Sequence, residues 1–162
     1  MKTKLKILFV CLGNICRSPL AEAIFKTKIS KKSLDHRLEA DSCGTSNYNI
    51  GELPDHRTIA NAKKNGVIID HRGKQLSQQD LVDYDFIVAM DQSNYQDILR
   101  LAGSEMYANK IALMRSFDMQ RDGDEVPDPY YGSEQEFQEV FEILDRSIDS
   151  FIHFLEREHL KA

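Results

Sequence analysis

The sequence predicts an α/β fold in which helices cover both faces of a parallel sheet. Short apolar runs of strand length alternate along the chain with segments of helical period, the pattern that right-handed crossovers produce. The chain has 162 residues, 41% of them apolar and 29% charged, enough for one core and unlike a disordered or fibrous composition. No repeat, linker or composition break divides it, so residues 1–162 are expected to form a single domain.

The first strand is read at Lys4–Val10, a short β-branched apolar run suited to a sheet interior. Pro19 fits the first turn of the helix that follows, with Leu20, Ala23, Ile24 and Thr27 as its inward stripe. Leu38–Cys43 reads as the second strand, ended by Gly44. A polar loop over 45–54 leads to a helix at Asp55–Lys64, closed by Asn65-Gly66. Ser77-Gln78-Gln79-Asp80 starts a short helix. Phe86–Ala89 is the third strand, Gln92–Leu101 a helix and Ile111–Met114 the fourth strand. Ser133 and Glu136 form a capping box. Behind it Phe137, Val140, Phe141, Leu144, Ile148, Phe151, Ile152 and Leu155 hold a helical stripe for about six turns. Between 115 and 131 no period is visible, and a loop that long in a compact domain is usually functional.

Several function classes drop out. The net charge of −5 argues against a basic surface that grips nucleic acid, although a local cationic pocket stays open. No apolar run is long enough to span a membrane. Lys2, Lys4 and Lys6 ahead of Ile7–Leu12 imitate a secretory signal, but the run is short and lacks a small-residue cleavage site. Three cysteines without a C-x-x-C pair suit neither a disulfide framework nor a structural zinc site. Reduced thiols in the cytoplasm, with no metal and no cofactor, are the expectation.

The chemistry is read at the first strand-to-helix turn. Cys11-Leu12-Gly13-Asn14-Ile15-Cys16-Arg17-Ser18 has the form C-x5-R-S, which a chain of this composition would match by chance about once in a hundred. A loop entering a helix start points successive N–H groups into one concavity, which suits a phosphate-sized anion. Gly13 and Asn14 tolerate left-handed backbone and let the loop curl. Arg17 offers a planar fork for two phosphoryl oxygens. The same positive potential favours the thiolate of Cys11, the form that acts as nucleophile. Ser18 is placed to donate to that sulfur.

A thiolate attacking a phosphate monoester needs an acid for the departing oxygen and later a base for water. Parallel crossovers bring the long loop to the same sheet edge. It holds Asp118, Asp122, Asp124, Glu125 and Asp128. Only Asp128 lies between two prolines, in Val126-Pro127-Asp128-Pro129-Tyr130-Tyr131-Gly132, and the two tyrosines can wall an aromatic leaving group.

Cys11–Pro19 and Asp128–Gly132 together resemble the low-molecular-weight protein tyrosine phosphatases. Asp41-Ser42 with Gly44, Asn47–Gly51, His71-Arg72 and Ala89–Asn94 extend the likeness along nearly the whole chain. The resemblance implies a doubly wound, four-stranded parallel sheet and metal-free hydrolysis of phosphotyrosine through a phosphocysteine. It implies Cys11 as nucleophile, Arg17 as phosphoryl ligand, Asp128 as general acid, and Ser18 easing departure of the sulfur. Leu12, Gly13, Asn14, Ile15 and Cys16 would form the binding loop, walled by Tyr48, Tyr130 and Tyr131. Asn14 would brace it through Ser42 and His71, although His71 beside Asp70 reads on its own as a surface residue. Cys16 is a packed loop residue or, as the resemblance suggests, the thiol that traps oxidised Cys11. Tyr48 stands where some members have tryptophan, and Cys43 reads as structural.

Phosphotyrosine proteins and competing oxyanions are the expected partners. A monomer is the default, with Tyr130 and Tyr131 available for a weak homodimer. An arsenate reductase shares the C-x5-R loop but needs later cysteines, and none follows Cys43. A protein arginine phosphatase is similar but carries threonine in place of Ile15. A binding module without turnover has no need of Asp128.

Overall fold

A computed structural model describes residues 4–120 and 124–161. Along them run β1 (Leu5–Cys11), α1 (Arg17–Lys31), β2 (Leu38–Gly44), α2 (His56–Lys64), α3 (Gln78–Asp83), β3 (Phe86–Ala89), α4 (Gln92–Ala102), β4 (Ile111–Leu113) and α5 (Glu134–His159). The strands form one sheet in the order β2-β1-β3-β4. All three pairings are parallel, with Phe9 opposite Ser42 on one side and Val88 on the other. The predicted architecture is therefore present, strand for strand.

The period of two along β1 divides the core. Ile7, Phe9 and Cys11 face α1, α2 and α5, whose Ile24, Ala62 and Ile148 are buried with them. Leu8 and Val10 face the opposite layer, with Leu81 of α3 and Ile98 of α4. Helices thus cover both faces, as a buried parallel sheet requires. All eight stripe residues of α5 are buried. No helix among the described residues is long and apolar enough to cross a membrane.

The strand ends, and the ends read for α2 and α4, agree with the sequence reading to within a residue. The first helix begins at Arg17, and Pro19 occupies its third position, inside the first turn as expected. There its missing N–H is still one that no helical carbonyl would have used. Met114 leaves the fourth strand to start a 3₁₀ turn, Met114–Phe117, and a second 3₁₀ turn over Glu105–Lys110 fills the connection before β4. Thr27 is half-buried and returns its hydroxyl to the Ala23 carbonyl, while Phe25 before it and Ile29 after it are buried.

Chain order runs from β1 outward to β2, then back across to β3 and β4. The carboxyl ends of β1 and β3 therefore flank the point where the winding reverses, the usual place for a ligand in such sheets. Cys11 ends β1 there, and Asp91 follows β3.

Candidate active site

The loop from Cys11 to Cys16 is held from outside by its carbonyls. Thr45 N–H donates to the Cys11 carbonyl at 2.9 Å, Ser46 N–H to Leu12 at 3.0 Å and Asp55 N–H to Ile15 at 2.8 Å. Asn49 Nδ2 donates to the Gly13 carbonyl at 3.1 Å. In a planar trans peptide the N–H points opposite the carbonyl. The amides of Leu12, Gly13, Asn14 and Cys16 are thereby turned inward, and Asn14 N–H indeed donates to Cys11 Sγ at 3.3 Å. Gly44 permits this docking, because a Cβ there would lie 2.7 Å from the Leu12 carbonyl.

Helix α1 continues the ring. Helices α2, α3 and α4 each begin with a side chain accepting a first-turn N–H, from Asp55, Ser77 and Asp91 respectively. Helix α1 begins at Cys16 with no such cap. Its first-turn N–H groups, with the positive end of the helix dipole, are directed at the loop. Ring and helix start together are complementary to a small tetrahedral oxyanion.

Asn14 is the brace. It takes the left-handed conformation at φ 57°, whereas Gly13 does not, contrary to the sequence reading. At Gly13 a Cβ would crowd the Asn49 side-chain amide, meeting its Nδ2 at 3.0 Å. The Asn14 amide donates to Ser18 Oγ at 2.8 Å and Ser42 Oγ at 3.1 Å. Its oxygen accepts from Lys74 N–H at 3.1 Å and lies 2.7 Å from His71 Nε2. His71 is buried, not a surface residue, and its Nδ1 lies 3.1 Å from Glu22 Oε1. Burial opposes charge on Glu22, but hydrogen bonds from His71, Lys26 and Ser42 outweigh it and hold its pKa below the ordinary glutamate value.

Cys11 Sγ lies 3.0 Å from Ser18 Oγ. Arg17, buried beside it, spends Nη1 on Asp91 Oδ2 at 2.7 Å and on the Val126 carbonyl at 3.0 Å. Burial works against its charge, yet Cys11, Asp91 and Asp128 prevail and hold its pKa above the ordinary arginine value. Asp128 Oδ2 reaches to 3.7 Å from Arg17 Nη2, and its Oδ1 accepts from Tyr130 N–H at 3.1 Å. Asp118, by contrast, pairs with Arg115 and Arg146 away from the loop, and Asp122 lies outside the described residues.

Cys16 is a free thiol, as are Cys11 and Cys43. Burial, then the charges of Asp55, Cys11 and Asp128, push its pKa up to about 12. It stays protonated near neutrality.

A cavity of about 330 Å³ opens over these groups. Cys11, Leu12, Gly13, Ile15, Cys16 and Arg17 form its floor and Tyr48, Asn49, Asp128, Tyr130 and Tyr131 its walls. Tyr131 is 97% exposed and meets Tyr130 edge-on at 5.0 Å. A larger groove of about 710 Å³ runs along Phe117, Phe154 and Arg157 and shares none of these residues. The structure thus brings together every residue singled out from the motifs. Sequence reasoning missed Asp91, Glu22 and Asn49 as contributors. Asp91 carried a signal, an N-cap aspartate directly after a strand at the ligand edge, whereas Glu22 is only an acidic interruption in an apolar helix face.

The family model described as low molecular weight phosphotyrosine protein phosphatase matches residues 6–161. A phosphatase of that description from Saccharomyces cerevisiae is 42% identical over 144 residues, covering 86% of this chain and 88% of its own. A protein tyrosine phosphatase structure from Entamoeba histolytica superposes with a TM-score of 0.92 at 40% identity, covering 95% of this chain and 98% of the other. A Drosophila arginine phosphatase structure reaches 0.88 at 32% identity, covering 95% and 99%.

Proposed function

The chain belongs to the low molecular weight phosphotyrosine protein phosphatase family, and from that premise we propose how its residues divide the work of hydrolysing phosphotyrosine. The Cys11 thiolate attacks phosphorus while the inward amides of the loop and Arg17 take up the charge spread over the three equatorial oxygens. The aryl oxygen leaves as Asp128 gives it a proton, so the bond to oxygen breaks as the bond to sulfur forms. Asp128 then accepts a proton from water, which attacks the phosphocysteine. Sulfur departs toward Ser18 Oγ and phosphate is released. Charge neutralisation comes from Arg17 and the amides, so no step calls for a metal ion.

One observation carries this reading: Cys11 Sγ lies on the floor of the cavity, against Ser18, with the loop carbonyls tied outward. Tyr48, Tyr130 and Tyr131 suit the walls of a slot for a flat ring, and Ile15 on the floor supports an aryl group over a guanidinium. The Drosophila relative makes phosphoarginine the competing substrate to measure. Inorganic phosphate and similar oxyanions would compete in the loop, residues 1–162 would act as one domain, and reduced thiols favour the cytoplasm. Cys16 would serve as resolving thiol. A Cys11 sulfenic acid condenses with the Cys16 S–H, forming the S–S bond and releasing water.

The test is acid quenching during turnover of a phosphotyrosine peptide in a chelator, followed by peptide mapping. Phosphorus on Cys11, with Cys11→Ser inactive yet still binding vanadate, is the expected result. Absence of any phosphocysteine, or a strict metal requirement, would overturn it.

A further inference from the structure

Asp128 hangs between two fixed carbonyls. On one side Val126 is pinned: its N–H donates to the Met90 carbonyl at 2.9 Å, and its own carbonyl accepts from Arg17 Nη1 at 3.0 Å. On the other side the Tyr130 carbonyl accepts from Arg57 Nη2 at 2.9 Å. Pro127 and Pro129 intervene and have no N–H with which to add further anchors. Besides its own contacts with Arg17 Nη2 and the Tyr130 N–H, and the turn closed by the Gly132 N–H on the Pro129 carbonyl, the Asp128 carboxyl is positioned by what holds Val126 and what holds Tyr130.

The second anchor is built with care. Arg57 is forked onto Asp55, Nε to Oδ1 at 3.0 Å and Nη2 to Oδ2 at 2.8 Å. Its guanidinium lies over the rings of Tyr130 at 5.5 Å and Phe137 at 4.7 Å. Asp55 in turn caps α2 through Arg57 N–H and donates its own N–H to the Ile15 carbonyl of the catalytic loop. A single clasp thus ties the nucleophile's loop, the start of α2 and the acid's loop together. A planar fork held on Asp55 through Nε and Nη2, with Nη2 also reaching the Tyr130 carbonyl, fixes direction as well as distance.

We propose that Arg57 is a positioning residue for the proposed general acid: acting through Tyr130, and anchored by Asp55, it holds the Asp128 loop at the height where the carboxyl meets the departing aryl oxygen. The proposal rests on the assignment of Asp128 given above. Arg57 touches no reacting atom, and its effect should appear only where proton donation matters. Substrates whose phenol is a poor leaving group need the proton, and those with a good one do not.

The readout is the ratio of kcat/KM for 4-nitrophenyl phosphate to that for phenyl phosphate, in which the fraction of folded enzyme cancels. Arg57→Ala is expected to raise this ratio about tenfold, short of the larger rise in Asp128→Ala. Arg57→Lys, which keeps the charge but not the fork, is expected to fall between wild type and Arg57→Ala. In the Asp128→Ala background Arg57→Ala should change the ratio no further. An unchanged ratio in Arg57→Ala, or the same multiplication with Asp128 already gone, would overturn the proposal. Should Asp128→Ala itself leave the ratio unchanged, the assignment of the acid fails instead.

Discussion

Asn14 carries more of the site than its short side chain suggests. It adopts the left-handed backbone that curls the loop, and its amide meets Ser18, Ser42, His71 and the Lys74 N–H. Asparagine is among the few residues that accept this conformation readily, and four hydrogen bonds more than offset a strain of about 1 kcal/mol. Two positions on, Cys16 allows a sharp test. Wild-type enzyme inactivated by peroxide is expected to recover with dithiothreitol, because the Cys11–Cys16 disulfide shields the sulfur from further oxidation. Cys16→Ser should fail to recover, its Cys11 having advanced to the sulfinic acid on a mass spectrum. Equal recovery of both proteins would remove Cys16 from that role.

Among the elements, α5 holds the catalytic layer from behind. Phe151 is fully buried, with Phe117 at 4.7 Å, Phe86 at 5.8 Å, Phe25 at 6.0 Å and Phe9 at 6.4 Å between ring centroids. These rings come from α5, a 3₁₀ turn, β3, α1 and β1, so one side chain joins five segments. Phe151→Ala is expected to cost about 3–5 kcal/mol, read as a lowered urea midpoint with the m-value retained. A change below about 1 kcal/mol would mean that the cluster collapses to fill the gap. The elements themselves were legible because their signals are local. Period placed α5, the Asn65-Gly66 pair closed α2, and the Ser77–Asp80 box opened α3. Met114 and the Glu105–Lys110 turn escaped because apolar residues in short 3₁₀ pieces have no period of their own. Burial of His71 escaped for another reason. Its partners Asn14, Ser42 and Glu22 are remote in sequence, and only the closed fold joins them.

At the scale of the molecule, Asp118 fastens the long loop to the helix layer. Its buried carboxylate accepts from Arg115 Nε at 2.9 Å, from Arg146 Nε at 3.0 Å and from Gln120 N–H at 3.0 Å. Burial alone would raise its pKa, but the bonds from Arg146, Gln120 and Arg115 prevail and lower it from 3.8 to about 2. A depressed carboxylate stabilises the fold in full above its unfolded value near 4, and that contribution fades as pH falls toward 2. The displacement corresponds to roughly 2 kcal/mol. Asp118→Asn should therefore be less stable than wild type at pH 7 by about that amount or more, and the gap in urea stability should narrow between pH 4 and pH 2. A gap of the same size at both ends would show that the charge on Asp118 contributes nothing. None of this cluster's pairing was legible in the sequence, where Asp118 stood only as one of several acids in an unpatterned stretch.

The bare start of α1 has a consequence for the molecule as a working object. Asp55, Ser77 and Asp91 finish their helices permanently from within the chain. On the proposed reaction each visiting phosphoryl group performs the same service for α1, and withdraws it on leaving as phosphate. Turnover and local folding then share one currency of hydrogen bonds, and an enzyme saturated with its product anion is a sturdier, more heat-tolerant body than the same enzyme at rest.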